Sequence, residues 1–512
     1  MRGVHSVQDA KHDTPLRGRS GRFRRHGRKG IAMTSPTEGA PRSELVLPRD
    51  EMLALAQRAA ELIVHRLEHL PYEPAWRGGT RAELEALFRE DAPEEGRPAL
   101  EVLERAALEV LPLASRVDHP RFFAFVPSSA TWPGVLADFL CAGHNTFQGT
   151  WLGASGPSQI ELIVLDWFRD WIGYPDTASG LFTSGGSAAS LDAFVAAREA
   201  AGAPQHATVY MSDQSHSALI RAATIVGIRA EHVRKVKSDD YFRMDMEMLA
   251  RMVVEDRAAG LNPIAVCANG GATNTGAVDP LEAMADFCAA EGLWFHVDAA
   301  YGGFAVLTEK GRQVLRGIER ADSIAMDAHK WLFQPFEAGC LMVKDVRRLE
   351  AAFSVHPEYL QDTQFGHEQP NFSDRGLQLS RSFRALKVWM SIQTFGLAAF
   401  RRSIAKGIEH AEHAEEYVRA SELLEIANPA SLGVVCFRFN PRNSGYSPEY
   451  LEQINTKVQA RVIETATAMT SSTRLRGIYS LRFCILNHNT TWEDVLGTLQ
   501  AIERFGLEAI AE

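Results

Sequence analysis

The chain has 512 residues, of which 46% are hydrophobic, so it can bury a large core and is expected to form two or three lobes. Its formal net charge is −10, but residues 1–30 carry nine Lys/Arg and two Asp, which leaves −17 on the rest. An acidic body would repel a phosphate backbone, and no apolar run reaches the ~20 residues of a membrane span. We therefore expect neither nucleic-acid binding nor membrane insertion.

The amino-terminal residues form a separate basic segment of the chain. Residues 1–46 are predicted to form a disordered basic and polar tail. Because Met33 begins an ordinary polar leader, we expect translation to start there, and a native peptide from residues 17–29 would contradict this.

The six cysteines show no CxxC spacing, which indicates reduced thiols in a cytoplasmic protein without a metal site.

The remaining chain predicts an arm followed by two domains. Helical patterns at residues 49–67 and 97–111 and an aromatic stretch at 119–127 predict a helical arm over residues 47–131. From there to about residue 400, short apolar runs alternate with longer helical ones, which predicts an α/β large domain (132–400) whose mostly parallel sheet is flanked by helices. A small α+β domain is predicted over residues 401–512, with helices at 401–421 and 492–505 and strands at 433–439 and 479–486.

Five polar groups follow five consecutive predicted strands, at the edge where ligands of open α/β sheets bind. In chain order they are the turn 183–187, His216, Thr273, Asp298 and Lys330. Each alone has an ordinary structural explanation, such as a capping turn, a helix cap or a solvated lysine. Because these explanations must hold independently at five strands, their combination favours a shared ligand site.

The chemistry of these groups predicts a carbonyl cofactor. A lysine amine is nucleophilic only when it is neutral, and we expect a dry cleft and the neighbouring His329 to lower the pKa of Lys330. Asp298 could keep a pyridine nitrogen protonated, so that the ring accepts electrons. Gly186 and Ser187 at a helix start could bind a phosphate. Pyridoxal 5'-phosphate needs all three functions.

At these positions the chain resembles the group II pyridoxal-phosphate-dependent amino-acid decarboxylases of fold type I, whose best-known members act on aromatic L-amino acids. The resemblance runs from about residue 50 to the C-terminus and implies a large cofactor-binding domain and a small C-terminal domain. It is carried by residues 119–127, 184–187, 212–217, 296–301, 327–331, 357–360 and 380–387.

The resemblance implies roles for the cofactor-binding residues. Lys330 would form a Schiff base with the cofactor, Asp298 would pair with the ring nitrogen, and the ring would lie between His216 and Ala300. Thr273 would stand beside the ring. The phosphate side would comprise Gly186, Ser187, His329 and Asp327, although Asp327 stands where the family commonly has asparagine and a carboxylate there needs a proton or a cation.

A mobile lid is implied over residues 344–378. In the family a tyrosine of this lid, matched here by Tyr359, protonates the substrate carbon after CO₂ has left. Relatives that replace this tyrosine by phenylalanine tend to oxidise the substrate to an aldehyde. The presence of Tyr359 and His216 therefore favours simple amine formation.

The resemblance also implies a substrate pocket shared between the subunits of a homodimer. Its aromatic and apolar walls favour an aromatic substrate such as tyrosine, DOPA, tryptophan or phenylalanine, and Gly149 would widen the site. The expected residues are Phe125, Val126, Pro127, Phe147 and Gly149.

Three alternatives to an aromatic amino-acid decarboxylase remain open. The first is an aldehyde synthase with the same cofactor, and the second is a decarboxylase of a non-aromatic amino acid. The third is a protein that binds nucleic acid through its basic tail and carries a vestigial catalytic lobe. The intact set of Lys330, Asp298, His216 and Tyr359 and the acidic body weigh against the third.

Overall fold

The computed structural model describes residues 43–127, 129–355, 358–363 and 368–512. The predictions for the tail up to residue 42, including the translation start, lie outside these residues. The chain divides into two units, Met1–Arg58 and Ala59–Glu512. The second unit contains both β-sheets and all the residues discussed below. The boundaries predicted for the arm and the two domains stay predictions.

The secondary structure alternates between helices and strands through most of the chain. The helices are α1 Arg49–His69, α2 Arg81–Phe88, α3 Ala99–Arg105, α4 Trp132–His144, α5 Trp151–Ile172, α6 Gly186–Ala200, α7 Ser217–Ile225, α8 Met246–Ala258, α9 Leu281–Glu291, α10 Glu309–Val314, α11 Ala328–Trp331, α12 Arg347–Phe353, α13 Ala385–Phe395, α14 Leu397–Ala420, α15 Pro448–Glu464 and α16 Trp492–Ala511. The strands are β1 Ser179–Thr183, β2 Ala207–Ser212, β3 Val233–Val236, β4 Asn262–Asn269, β5 Trp294–Asp298, β6 Ser323–Asp327, β7 Gly339–Val343, β8 Leu424–Ser431, β9 Val434–Phe439, β10 Ser471–Leu475 and β11 Ile478–Cys484.

The large sheet has seven strands in the order β1-β7-β6-β5-β4-β2-β3. The pairs from β6 through β5, β4 and β2 to β3 are parallel, which confirms the predicted mostly parallel sheet. Strands β2, β6 and β7 are buried along their whole length, because helices cover both faces of the sheet.

Strand β7 departs from the sequence-based picture. It pairs antiparallel with both β1 and β6, so it separates the strand of the glycine turn from the strand that leads to Lys330. Since two antiparallel steps restore the direction, β1 still runs parallel to β6. Strand β3 also intervenes in the chain between β2 and β4, so the five groups do not follow five consecutive strands.

The small sheet has four antiparallel strands in the order β10-β11-β9-β8 and forms the predicted C-terminal α+β lobe. Its core joins Val435 and Phe437 of β9 and Phe483 of β11 to apolar faces of α14, α15 and α16. Among the helices that the structure describes, none combines the length and apolar character needed to cross a membrane.

Candidate active site

The carboxyl ends of β1, β2, β4, β5 and β6 surround a cavity of about 490 Å³ at one edge of the large sheet. The groups that the sequence singled out after these strands all contribute to its wall. The lining residues are Phe125, Val126, Ser184, Gly185, Gly186, Ser187, His216, Ala218, Asn269, Gly271, Thr273, Asp298, Ala300, Tyr301, Asp327, His329, Lys330 and Glu337.

Lys330 lies on α11, a single helical turn that follows β6 directly. The neighbouring Trp331 is completely buried and stacks on Tyr301 with ring centroids 5.3 Å apart, which fixes this turn against the sheet. The Lys330 amine lies 2.9 Å from Oδ2 of Asp327. Packing of the tryptophan therefore leaves the lysine directed into the cavity, where it lines the wall.

The pKa of Lys330 is raised, in contrast to the sequence-based expectation. Burial lowers this pKa, but the charge and hydrogen bond of Asp327, together with the charge of Asp298, outweigh it. His329 does not act as the expected neighbouring cation, because burial lowers its pKa and keeps the ring neutral. The expectation was wrong because two carboxylates, and no cation, control the amine.

Asp298 ends β5, and the N–H of Ala300 donates a hydrogen bond to its Oδ1 over 3.2 Å. The pKa of Asp298 is raised, because burial outweighs the charge of Lys330 and the hydrogen bond from Ala300, which both lower it. A carboxylate with these neighbours is suited to pair with a cationic ring nitrogen. Ala300 lines the same cavity and is buried.

His216 caps the start of α7. Its Nδ1 accepts a hydrogen bond from the N–H of Ala218 over 3.2 Å, so the proton of the neutral ring resides on Nε2. This cap fixes the plane of an imidazole that lines the cavity. The structural explanation, a helix cap, holds for this residue, and its stacking on the cofactor ring stays a prediction.

The glycine turn after β1 is shaped by close contacts that exclude side chains. Helix α6 begins at Gly186, and a Cβ on this glycine would lie 2.9 Å from Cβ of Ala300. A Cβ on Gly339 of β7 would lie 2.4 Å from Cα of Gly185. Because the first backbone N–H groups of a helix have no partner within it, the turn can bind an anion.

His329 and Asp327 stand on the other side of this turn. Nδ1 of His329 accepts a hydrogen bond from the N–H of Ala338 over 3.1 Å, and the ring packs on Phe336 at 4.7 Å. Asp327 is buried and, besides Lys330, lies 3.6 Å from Nε2 of His329. Thr273 lies on the loop after β4 and also lines the cavity.

The residues expected around the substrate divide into two groups. Phe125 and Val126 line the cavity, and Phe125 has a φ of 51°, a strained conformation for an aromatic residue. Pro127, Phe147 and Gly149 are not among its lining residues within the described chain. Their assignment to the substrate stays a prediction.

Gly149 has a structural reason to be glycine. A Cβ at this position would lie 2.2 Å from the carbonyl oxygen of Leu379 and 2.7 Å from Cζ of Phe147. The contact with Leu379 requires a glycine here whatever the substrate is, so the identity of this residue carries no information about pocket width.

Tyr359 belongs to the 3₁₀ helix Glu358–Thr363, within the predicted lid. The position of its side chain lies outside the described atoms, as do residues 356, 357 and 364–367. Its role as the proton donor stays a prediction.

The sequence missed several residues that shape the site. Asn269 ends β4, and its backbone and side-chain amides both donate to the buried Asp279, which holds the loop that carries Thr273. Glu337 lines the cavity and forms a 2.7 Å ion pair with Arg384. The position of Asn269 at a strand end is the same signal that identified Asp298, whereas Glu337 follows the lysine turn without a distinctive pattern.

The donor set suits pyridoxal phosphate. One wall combines an amine on Lys330, a carboxylate on Asp298 and a flat ring on His216, and the other offers the anion-binding start of α6. Oδ1 of Asp327 is buried without a hydrogen-bond partner among the described residues, so it could bind a polar group of a ligand.

Residues 82–440 match the family model described as "Pyridoxal-dependent decarboxylase conserved domain". The chain belongs to the pyridoxal-dependent decarboxylase family. It is 39% identical to the aromatic-L-amino-acid decarboxylase of Bacillus atrophaeus, over 91% of this chain and 97% of that protein. It is 33% identical to the phenylacetaldehyde synthase of Petunia hybrida, over 82% of this chain and 87% of that protein.

The fold agrees with this assignment. The structure of Oryza sativa TDC with PLP and tryptamine superposes with a TM-score of 0.86 at 27% sequence identity, covering 91% of this chain and 99% of that one. This decarboxylase is therefore a fold type I enzyme, a lyase that uses pyridoxal phosphate as its cofactor.

Proposed function

We propose that this decarboxylase converts an aromatic L-amino acid into the corresponding amine and CO₂. The observation that carries the proposal is that Lys330, Asp298 and His216 face one cavity whose outer wall includes the apolar side chains of Phe125 and Val126. Aromatic substrates or products appear in the names of all three proteins compared above, and this supports the proposal.

The residues of the cavity would divide the work of decarboxylation. Pyridoxal phosphate, when bound, supplies a conjugated ring that accepts the electrons of the bond broken at the substrate carbon. Lys330 would hold the cofactor until an amino acid displaces it, and Asp298 would stabilise positive charge on the ring nitrogen. His216, held by its cap on α7, would offer a flat face on which the ring could stack. Tyr359 would return a proton to the substrate carbon.

The charges of the wall argue against an acidic substrate side chain. A buried carboxylate needs a partner cation. Within the described part of the wall, Lys330 is the one Lys or Arg, and it is paired with Asp327. Glu337 adds a further negative charge, although its own partner is Arg384. These charges favour a neutral aromatic side chain over glutamate or cysteine sulfinate.

We further propose that the active enzyme is a homodimer. Large apolar side chains are exposed on the face formed by α4 and the start of α5, which is unusual for a monomer. The exposed fractions are 63% for Phe139, 43% for Leu140, 41% for Phe147, 62% for Leu152 and 44% for Leu379. Phe147 lies on this face, so a second subunit would bring it towards a shared pocket, whereas Gly149 is buried behind it. An active monomer in light scattering would contradict this.

The proposed compartment is the cytoplasm. All six cysteines, which lie within the described residues, have free thiols, and five of them are buried. This pattern is typical of proteins kept in a reducing environment.

A second candidate is an aldehyde synthase, which the similarity to the Petunia protein favours. That reaction consumes O₂ and water and releases an aldehyde, CO₂, ammonia and hydrogen peroxide. With Tyr359 present we expect the amine to dominate. Tyr359→Phe is expected to lose most amine and to gain aldehyde and peroxide, and an unchanged amine yield would remove Tyr359 from the mechanism.

One experiment tests the proposed function. The cofactor-loaded protein is incubated with each common L-amino acid, and amine, CO₂, aldehyde, peroxide and ammonia are measured together. We expect an amine and CO₂ in equal amounts from tyrosine, DOPA, tryptophan or phenylalanine. Preferred turnover of glutamate or another non-aromatic amino acid would contradict the proposal, and aldehyde with peroxide as the main products would favour the second candidate.

A further inference from the structure

Asp327 is a buried carboxylate whose two oxygens have different surroundings. It ends β6 and is only 2% exposed. Oδ2 lies 2.9 Å from the amine of Lys330 and 3.6 Å from Nε2 of His329. Oδ1 has no hydrogen-bond partner among the described residues. A buried, charged oxygen without a partner is costly, so it indicates a site for a proton or a ligand group.

The same carboxylate borders the anion-binding turn. A Cβ on Gly186, the first residue of α6, would lie 3.2 Å from Oδ2 of Asp327. Strand β7 holds the two together, because its Gly339 pairs with Thr183 on one side and with Asp327 on the other. A phosphate at the start of α6 would therefore meet a carboxylate, and like charges in a buried site repel strongly.

Asp327 must lose its negative charge beside a phosphate, and Lys330 must lose its positive charge. Asp327 contributes to the raised pKa of Lys330, so the amine is held as an ammonium ion, which has no lone pair with which to attack an aldehyde. The ammonium ion must lose a proton, and the carboxylate that borders the phosphate must gain one. A single transfer over the 2.9 Å contact satisfies both requirements.

We propose that Asp327 accepts the proton of Lys330 when the enzyme takes up pyridoxal phosphate, and that it then remains beside the phosphate as a neutral carboxyl group. One N–H bond of the ammonium ion breaks and one O–H bond forms on Asp327. The amine nitrogen adds to the aldehyde carbon, its two remaining protons leave with the aldehyde oxygen as water, and a carbon–nitrogen double bond remains. The net charge of the two side chains is zero before and after.

The other titratable groups near Asp327 are poorer acceptors. Nδ1 of His329 already accepts the N–H of Ala338, and burial lowers the pKa of this ring. Asp298 must stay ionised to pair with the ring nitrogen. Cys340 of β7 is a buried thiol with a pKa raised well above its ordinary value, so it is neutral and has no proton to gain. Asp327 therefore remains as the acceptor for the proton of Lys330.

The test is an infrared difference spectrum of the full-length protein with cofactor minus without it, recorded without substrate. We expect a positive band of a protonated carboxyl group that shifts in D₂O and shifts again when aspartate is ¹³C-labelled. Pyridoxamine phosphate, which has the phosphate but no aldehyde, is expected not to produce the band, because the ammonium ion of Lys330 then stays 2.9 Å from Asp327 and neutralises its carboxylate beside the phosphate. A band with both ligands would overturn Lys330 as the source of the proton.

Asp327→Asn identifies the residue. This variant is expected to lose the band, and the control Asp345→Asn, which removes an exposed ion pair with Arg347, is expected to keep it. A band that persists in Asp327→Asn would overturn the proposal. If that variant does not fold, the labelled wild-type protein decides alone, since absence of a gained aspartic acid band overturns the proposal. Because no substrate is present, this outcome is independent of the proposed substrate class.

Discussion

At the scale of single residues, the site depends on charges that control one another. Lys330, Asp298 and Asp327 share one buried region, and each changes the pKa of its neighbours. The sequence could indicate which side chains meet, because strand ends of a parallel sheet converge. It could not predict whether the pKa of Lys330 is raised or lowered, because this depends on whether Asp327 or His329 carries the charge nearest the amine.

The role of Asp298 leads to a prediction at this scale. Asp298→Asn keeps the size of the side chain but removes the charge that would stabilise a cationic ring nitrogen, so we expect kcat to fall by roughly 10²-fold or more. Steady-state kinetics on the preferred amino acid measure this change. The control Asp286→Asn removes an exposed ion pair with Arg320 and is expected to change kcat less than twofold. A kcat of Asp298→Asn within twofold of wild type would contradict the assignment.

At the scale of elements, strand β7 determines the shape of the glycine turn that is predicted to bind the phosphate. It was not foreseen, because an antiparallel strand inserted between β1 and β6 has the same apolar composition as its parallel neighbours. Its first residue, Gly339, supports the glycine turn through direct backbone contact with Gly185. The motif at residues 184–187 predicted the turn, whereas the residue that supports it lies more than 150 positions away.

Gly339→Ala is therefore expected to weaken cofactor binding. The added methyl would overlap the backbone of Gly185, and overpacking of this kind costs about 1–3 kcal/mol, which would raise the Kd of pyridoxal phosphate by about 5-fold to 150-fold if the whole cost fell on the bound state. Fluorescence titration of cofactor-free protein measures the Kd. Gly497→Ala of α16 is the control, since a Cβ there meets nothing within 4 Å. Equal affinities in the two variants would refute the role of Gly339.

A second structural feature at the scale of elements is a fully buried ion pair. Glu161 of α5 lies 2.6 Å from Arg381, and both side chains have no exposed surface. Glu161 accepts a hydrogen bond from the N–H of Phe182, and Arg381 donates one to the carbonyl oxygen of Phe182. The ion pair therefore binds both backbone groups of this residue of β1. The sequence suggested Arg381 only as part of a family motif, because its partner is 220 positions away.

Breaking this pair is expected to destabilise the protein more than removing it. Arg381→Met leaves Glu161 buried without a counter-ion and should cost about 3–5 kcal/mol of unfolding free energy. Adding Glu161→Leu should recover part of that loss, because no unpaired charge remains. Denaturant titrations of the two single variants and the double variant measure the coupling energy. Additive losses would show that the two side chains stabilise β1 independently.

At the scale of the whole molecule, the order of the elements was predictable and their pairing was not. The alternation of strands and helices, two of the four strands of the second sheet and the last helix follow from hydrophobic periodicity. The positions of β1 and β7 in the sheet depend on contacts between segments about 160 residues apart, for which a single sequence contains no local signal.

The pH dependence of stability is also a property of the whole fold. Asp192 of α6 is buried, and burial raises its pKa from 3.8 to about 7. A raised pKa means that the folded state retains a proton that the unfolded state releases. This contribution to stability is complete below pH 4 and is lost as the pH rises through about 7.

Asp192→Asn removes this contribution. Relative to wild type, the variant is expected to gain unfolding free energy as the pH rises from 5 to 7, by up to about 1.4 kcal/mol per pH unit, and the difference should level off above pH 8. Denaturant titrations at four pH values measure it. Asp166→Asn, at a partly exposed site, should follow the wild type throughout. A difference that does not change with pH would contradict the buried state of Asp192.

The central claim is that the cofactor binds in the cavity at the sheet edge through Lys330. Reduction of the cofactor-loaded protein with borohydride, followed by digestion and mass spectrometry, tests this most directly, because it converts the link to the lysine into a stable bond. We predict that the phosphopyridoxyl mass is found on the peptide containing Lys330. The mass on another lysine, or on none, would contradict the account.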